Sequence, residues 1–378
     1  MKTYYSFFKA LILFICFAYN SILIAQNESI KLNDNHSALA YKAADSLYNN
    51  RNYVDSEKKL HSLIKTTDTK NQADILYKSY KLLGLINSSS QKLDSSSYYF
   101  KTSLEFLERS SETELEKKNI SGFTKNNIAL NMFNTGKTEK SIETLNDAIF
   151  ELYEFISETK DKDKKNSATK KRLACIDNLA GFYRGVGENQ RAIDLLTYSY
   201  EQKQKILPKD DSGLVISRLL LGHIHLIARN YNQAGAFVDK GIEYIDKIPF
   251  AKSYAYLVRA SIYENIGDLD SAKRFYEMCE AVYRENFDGK YSRAFLDGLV
   301  EMSIFYTKLD MDEKALNLAK EGYNYTHKDT YQNDLLSFYQ TQNLSLIYFL
   351  IEDYKKSLKY SNEALSFFEN RNLNTVLD

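Results

Sequence analysis

The chain has 378 residues, and its 50 Lys and Arg balance 50 Asp and Glu. Zero net charge supplies no general pull towards nucleic acid or an anionic membrane surface. Two prolines and 14 glycines are too few for a β-sandwich, a barrel or a long disordered linker, all of which consume turn residues.

Residues 1–25 read MKTYYSFFKALILFICFAYNSILIA. Lys2 and Lys9 form a positive leading region, an apolar stretch runs from Ala10 to Ala18, and Ala25 sits at a small-residue cleavage position before Gln26. This layout predicts a secretory signal peptide. The alternative is an uncleaved anchor, but the stretch from Ala10 to Ala25 is short for a span of about 20 residues and Asn20 and Ser21 interrupt it. Phe14 and Ile15 before Cys16 argue against lipidation. Cleavage leaves 48 basic against 50 acidic residues, a charge of −2, and only Cys175 and Cys279. The expected location is extracytoplasmic, with no stable membrane span after cleavage. A protein of this size with two cysteines is not a disulfide scaffold, so both thiols are expected free and mostly buried.

After a short lead (26–36), apolar residues recur at helical period and strand-like alternation is absent. The segments repeat. Each holds a first helix, A, with a small residue, a turn, and a second helix, B, with a small residue near its start. The pairs are Ala44/Ser56, Gly84/Ser96, Ala129/Ser141, Ala180/Ala192, Gly222/Ala234, Ala260/Ala272, Ser303/Ala315 and Ser345/Ser357. The separation is twelve in all eight. Two antiparallel helices joined by a short turn approach closely only where side chains are small, while bulky neighbours interlock around them. Gly136, Gly187 and Gly267 fall at one equivalent turn position, where a helix can end in the left-handed conformation.

Segments such as LAGFYRGVGENQRAIDLLTYSY and ASIYENIGDLDSAKRFYEMCEA carry a resemblance to the tetratricopeptide repeat family, over residues 37–370. The resemblance implies an all-α fold, a right-handed α-solenoid of about eight helix-turn-helix repeats, followed by a tail at 371–378. Two family features depart: there is no Trp, and the terminal proline is nearly absent. The helix B positions advance by 38 to 51 residues, against a family unit of about 34. Since the A-to-B offset is constant, the extra residues lie between helix B and the next helix A, in longer helices or longer loops. The longest step contains KDKDKKNSATKKR (160–172), the strongest candidate hinge; no domain boundary is otherwise visible. This Lys-rich run reads as a solvated helix end rather than a nucleic-acid patch, since it has no aromatic residue for stacking.

Catalytic constellations are missing. GVG (185–187) has Gln190 where a dinucleotide motif needs glycine, and no strand precedes it. His223 and His225, two apart on a helix, point to opposite sides and cannot share a metal. His225 holds a packing position. No enzyme, cofactor or nucleic-acid partner is therefore expected.

The resemblance implies a partner protein or peptide on the surface lined by helices A. The fourth repeat offers Asp177 and Arg184 there, and the fifth offers His223 among Ile216, Leu219, Leu226 and Ile227. The eighth offers Tyr339, Gln342, Leu346, Phe349 and Leu350. That face is either a groove or buried by the molecule itself. Asn127, Asn178 and Asn343 share the position two before the helix A small residue. A side-chain amide both donates to and accepts from a peptide backbone whatever its sequence; the alternative is a helix-to-helix hydrogen bond. The leading expectation is an exported, non-catalytic peptide-binding scaffold. A second is the sensor part of a signal-transduction regulator without its membrane and output parts, which the resemblance also suggests. A third is glycan binding in nutrient uptake. Leu358, Leu365 and Phe368 on the last helix B lack a covering helix, which predicts a homodimer or a partner there.

Overall fold

The computed structural model describes residues 36–69, 72–90, 92–287, 293–327 and 334–369. The leader, most of the lead and the tail after 369 lie outside the described residues. Among the described residues there are sixteen α-helices and no strand. In chain order they form eight helix-turn-helix repeats: α1 (His36–Asn49) with α2 (Tyr53–Thr66), α3 (Ala73–Ser89) with α4 (Leu93–Glu108), and α5 (Glu114–Asn134) with α6 (Thr138–Glu158). The fourth in sequence is α7 (Lys162–Gly185) followed by α8 (Asn189–Ile206), and the fifth is α9 (Ser212–Ile227) with α10 (Tyr231–Ile242). Then come α11 (Pro249–Ile266) with α12 (Leu269–Phe287), α13 (Arg293–Thr307) with α14 (Asp312–Thr326), and α15 (Asp334–Leu350) with α16 (Tyr354–Glu369). This is the expected α-solenoid class of helix-turn-helix repeats.

Two compact units divide the chain. One holds residues 36–186 with 201–203; the other holds 187–200 and 204 onward. In each, a helix A packs on its own helix B and on the next helix A, as α1 does on α3 and α9 on α11. Such nearest-neighbour stacking builds stability as a sum of repeat and interface contributions.

The small-residue pairs explain the hairpins. All sixteen residues are buried. In three hairpins a hydroxyl closes the approach directly. Ser56 Oγ donates to the Ala44 carbonyl at 2.7 Å, Ser96 Oγ to the Gly84 carbonyl at 2.8 Å, and Ser345 Oγ to the Ser357 carbonyl at 2.8 Å. Helix backbones come this close only without intervening side chains. A Cβ on Gly84 would lie 2.6 Å from the Phe100 ring. One turn along helix B, Leu60, Phe100, Leu145, Leu196, Val238, Tyr276 and Ala319 are all at most 1% exposed. Burying one such large apolar side chain contributes about 1.5–3 kcal/mol.

The turn recurs as faithfully as the packing. The residue seven past the helix A small position has positive φ in every described hairpin where that residue is seen: Gly136, Gly187 and Gly267, but also Arg51, Arg229, Asp310 and Glu352. The next amide reaches back to the carbonyl five residues earlier, as in Asn52 N to Leu47 O at 2.9 Å, Lys137 N to Met132 O at 2.9 Å and Asn230 N to His225 O at 2.8 Å. Asp268, Met311 and Asp353 repeat this bond. It is the long bond of a Schellman motif, which satisfies a carbonyl at the end of helix A. A side chain in this conformation costs about 1–2 kcal/mol relative to glycine.

The candidate hinge at 160–172 is corrected by the structure. Residues 162–185 form one helix of 24 residues, and the unit division falls beyond it, between Val186 and Gly187. Asp161 caps that helix by accepting from the Asp163 and Lys164 amides at 2.9 and 3.0 Å. Lys164 pairs with Glu116, and Lys171 Nζ donates to Asn119 Oδ1 at 3.2 Å. The long steps around here are thus long helices: α5 and α6 have 21 residues each. Among the described residues no helix is long and apolar enough to cross a membrane.

Cys175 and Cys279 are free and fully buried, and burial pushes both thiols well above their usual range. Native, unreduced protein carrying residues 26–378 should therefore not react with a thiol reagent at neutral pH, and denaturation should release two thiols; none on denaturation would show a disulfide. Replacing Arg51 or Arg229 by Gly should stabilise its hairpin by about 1 kcal/mol. Gly136→Ala or Gly267→Ala should cost about as much. Chemical denaturation midpoints read both signs, and a loss on Arg229→Gly would contradict the shared turn geometry.

Candidate functional site

The helix A positions that the sequence singled out are buried polar positions. In the first unit, α5 and α7 carry them side by side. Asn178 Nδ2 donates to Asn126 Oδ1 at 2.7 Å, with both residues at 0% exposure. That bond uses half of each amide. Asn126 Nδ2 and Asn178 Oδ1 are buried and have no hydrogen-bond partner among the described residues. A donor and an acceptor left open in a dry site are costly, about 1–3 kcal/mol each. They are also the complement of one peptide group. Asn127, which the spacing had favoured, turns its Nδ2 back to the Phe123 carbonyl of its own helix at 3.1 Å.

Asp177 is almost fully buried and pairs with Lys203 of α8, itself 2% exposed. A buried pair of this kind holds only because each charge answers the other. Arg184 is buried at the end of α7. Nearby, Asn131 Nδ2 donates to Ser96 Oγ at 2.9 Å and joins the third hairpin to the second. Phe133 of α5 and Phe182 of α7 stack at 4.2 Å and 2°.

In the second unit, His223 is fully buried, its Nδ1 2.6 Å from the Tyr254 hydroxyl on α11. His225 stacks on Phe237 at 5.6 Å and 3°, the packing role expected, and burial lowers its basicity. Asn343 Nδ2 donates to Ser303 Oγ at 3.1 Å, across the interface from α15 to α13. Asn343 and Asn178 thus make the helix-to-helix bond held as the alternative. The packing residues Gly84, Ala129, Ala180, Ala192, Gly222, Ala234, Ala260, Ala272 and Ala315 are all buried.

The inner-face apolar residues divide. Ile216, Leu219 and Leu226 are buried, whereas Phe349 and Leu350 are exposed. Leu358 and Leu365 on α16 are 63% and 55% exposed, and the Phe368 side chain lies outside the described residues.

A groove of about 490 Å³ runs between α12 and α14. Its charges answer one another: Arg284 Nη2 meets Glu280 at 2.7 Å and Glu321 at 3.0 Å, and Lys314 Nζ donates to the Tyr306 hydroxyl at 2.8 Å. Of these, the Arg284–Glu321 pair ties the sixth hairpin to the seventh. Among the described residues no group of three or more His, Cys, Asp or Glu could hold a metal ion.

Sequence reasoning missed Asn126, which pairs with Asn178, and Lys203, which answers Asp177. The Asn126–Asn127 doublet was the available signal for the first. Lys203 had none, because it comes from a helix B whose register against α7 is not written in the twelve-residue offset.

Comparison with known proteins returns the same architecture. The tetratricopeptide repeat profile matches residues 253–286, which is the sixth hairpin with Ala260, Gly267 and Ala272. No curated protein matches the chain in sequence. Among solved structures, a Rap protein in complex with Competence and Sporulation Factor is similar with a TM-score of 0.65 at 14% identity, covering 96% of this chain and 98% of that one. The apo quorum sensor NprR from B. thuringiensis is similar at 0.61 and 15% identity, over 88% and 87%. A tetratricopeptide repeat protein from Parabacteroides merdae is similar at 0.53 and 14% identity, over 82% and 98%. At these identities the likeness is one of fold: the chain is built as tetratricopeptide repeat proteins are, with the sixth hairpin matching the repeat in sequence as well.

Proposed function

We propose that the chain binds an extended peptide or protein segment along its helices A and performs no catalysis. One observation carries the proposal: the open amide N–H of Asn126 and the open carbonyl of Asn178, buried on adjacent helices. A peptide group offers one acceptor and one donor, so a ligand backbone can satisfy both at once where α5 and α7 part to admit it, since both residues are at 0% exposure in the closed arrangement. The similar Rap protein was solved in complex with Competence and Sporulation Factor, which supports this reading. The similar NprR is a quorum sensor, which supports a second one: that binding is read out as a signal. Export is part of the proposal and rests on the leader at 1–25. The exposed Leu358 and Leu365 row is assigned to self-association of the last hairpin.

Linear peptides selected from a random library against residues 26–378 should bind wild-type chain about tenfold more tightly than Asn126→Ala or Asn178→Ala. N-methylation of the ligand should abolish binding at one peptide bond while neighbouring positions tolerate it. Equal affinity for both variants, or uniform tolerance of N-methylation, would refute backbone recognition by these amides. N-terminal sequencing of the exported chain should begin at Gln26, and light scattering should show a dimer that Leu358→Glu dissociates. A chain retained with Met1, or a strict monomer at all concentrations, would remove those two parts separately.

A further inference from the structure

Two helices B differ from the other six. Among the described residues, only α6 and α16 carry more than one large apolar side chain that is over half exposed. On α6 these are Phe150 at 60% and Tyr153 at 54%, one turn apart. On α16 they are Tyr354, Leu358 and Leu365. Apolar surface gathered in this way leaves water wherever a fitting surface can cover it.

The charges beside the two rows have opposite signs. α6 holds six carboxylates and one lysine, Lys140. Three of the carboxylates are answered from α5: Glu151 meets Lys125 at 2.6 Å, and Glu154 and Glu158 meet Lys118 at 3.4 and 3.8 Å. Glu139, Glu143 and Asp147 are exposed and have no ion-pair partner among the described residues. They follow one another every fourth residue, and Phe150 continues the same stripe. On α16, Lys355 and Lys359 are exposed, four apart and likewise without an ion pair among the described residues, whereas Asp353 holds Lys356 at 2.6 Å. The two patterns share a register. Glu143, Asp147 and Tyr153 are spaced by four and then six residues, and so are Lys355, Lys359 and Leu365. Each row is about 15 Å long at about 1.5 Å per residue. Side by side in the same direction, two such helices bring each lysine to a carboxylate and Leu365 to Tyr153. The reverse direction would set the lysines beside Arg172 of α7, whose guanidinium lies over the Tyr153 ring at 5.5 Å.

We propose that α6 of one copy receives α16 of a second copy, in parallel, with Lys355 and Lys359 on Glu143 and Asp147 and with Leu365 on Tyr153. The inference rests on the self-association of the last hairpin proposed above, and it names the face that this hairpin meets. The contact is heterologous: two different faces join, and each copy offers one of each. The apolar rows supply the burial, and the opposite charges set partner, direction and register. A contact between α16 and a second α16 would leave Lys355 and Lys359 without counter-charges, and one between α6 and a second α6 would gather carboxylates.

The test is sedimentation equilibrium of the chain from Gln26 and of two charge-reversed variants. Glu143→Lys with Asp147→Lys alters the α6 face, and Lys355→Glu with Lys359→Glu alters the α16 face. All four positions are exposed, so both variants should melt as the wild type does. Each variant alone should associate at least about tenfold more weakly than the wild type. An equimolar mixture of the two should regain wild-type affinity within about threefold, because every reversed face then meets a reversed partner. The chain carrying all four substitutions should regain it as well. If reversal on α6 leaves self-association unchanged while reversal on α16 weakens it, the inference falls and self-association of the last hairpin stands. A mixture no stronger than either variant alone would also overturn the inference. A wild-type chain that is monomeric at every concentration would instead remove the self-association on which the inference rests.

Discussion

The hairpins depend on one steric constraint: helix A and helix B of each repeat must meet at residues too small to hold them apart. Everything local follows from that contact. With Ala44 facing Ser56 and Gly84 facing Ser96, backbone carbonyls come within reach of serine hydroxyls. Leu60, Phe100 and Leu145 then fall into the gaps one turn further on and exclude water. The offset of twelve also fixes the turn, because a helix that must reverse within so few residues needs a left-handed residue at one place. That place is filled by glycine in three described hairpins and by Arg51, Arg229, Asp310 and Glu352 in four. The chain accepts backbone strain there rather than give up the register of the two helices.

Contacts between hairpins follow a looser rule, and that difference separates what was legible from what was not. Within a hairpin the small residues of the two helices stand twelve apart, so eight pairs could be read from letters alone. Between hairpins the separations vary: 35 residues from Ser96 to Asn131, 40 from Ser303 to Asn343 and 52 from Asn126 to Asn178. The helices differ in length, from 12 residues in α10 to 24 in α7, so no fixed spacing points from an inner-face amide to its partner. Asn178 could be singled out by its place beside a small residue; its use of Asn126 could not. The left-handed arginines were hidden for a simpler reason, since only glycine announces positive φ by its identity.

The charged stretch from Lys160 to Arg172 was half legible. Seven lysines and arginines among thirteen residues read as a solvated helix end, which holds, and as a candidate hinge, which does not. In the folded chain Asp161 caps the helix, and Glu116 and Asn119 of α5 hold Lys164 and Lys171. Charge density described the solvent face of a helix, and the neighbouring helix that stabilises it was out of sequence range.

Buried polar groups make the interfaces between hairpins specific, while the small-residue contacts make each hairpin possible. The most direct measurement is of that contact. The double variant Ala260→Cys with Ala272→Cys, in a chain whose two native thiols are buried, should form a disulfide readily, because only alpha carbons within about 4.4–6.8 Å can be bridged. The control Ala260→Cys with Lys273→Cys, one residue out of register, should remain reduced. Oxidation of the control in preference to the pair, or of neither, would contradict hairpins that meet at a constant offset of twelve.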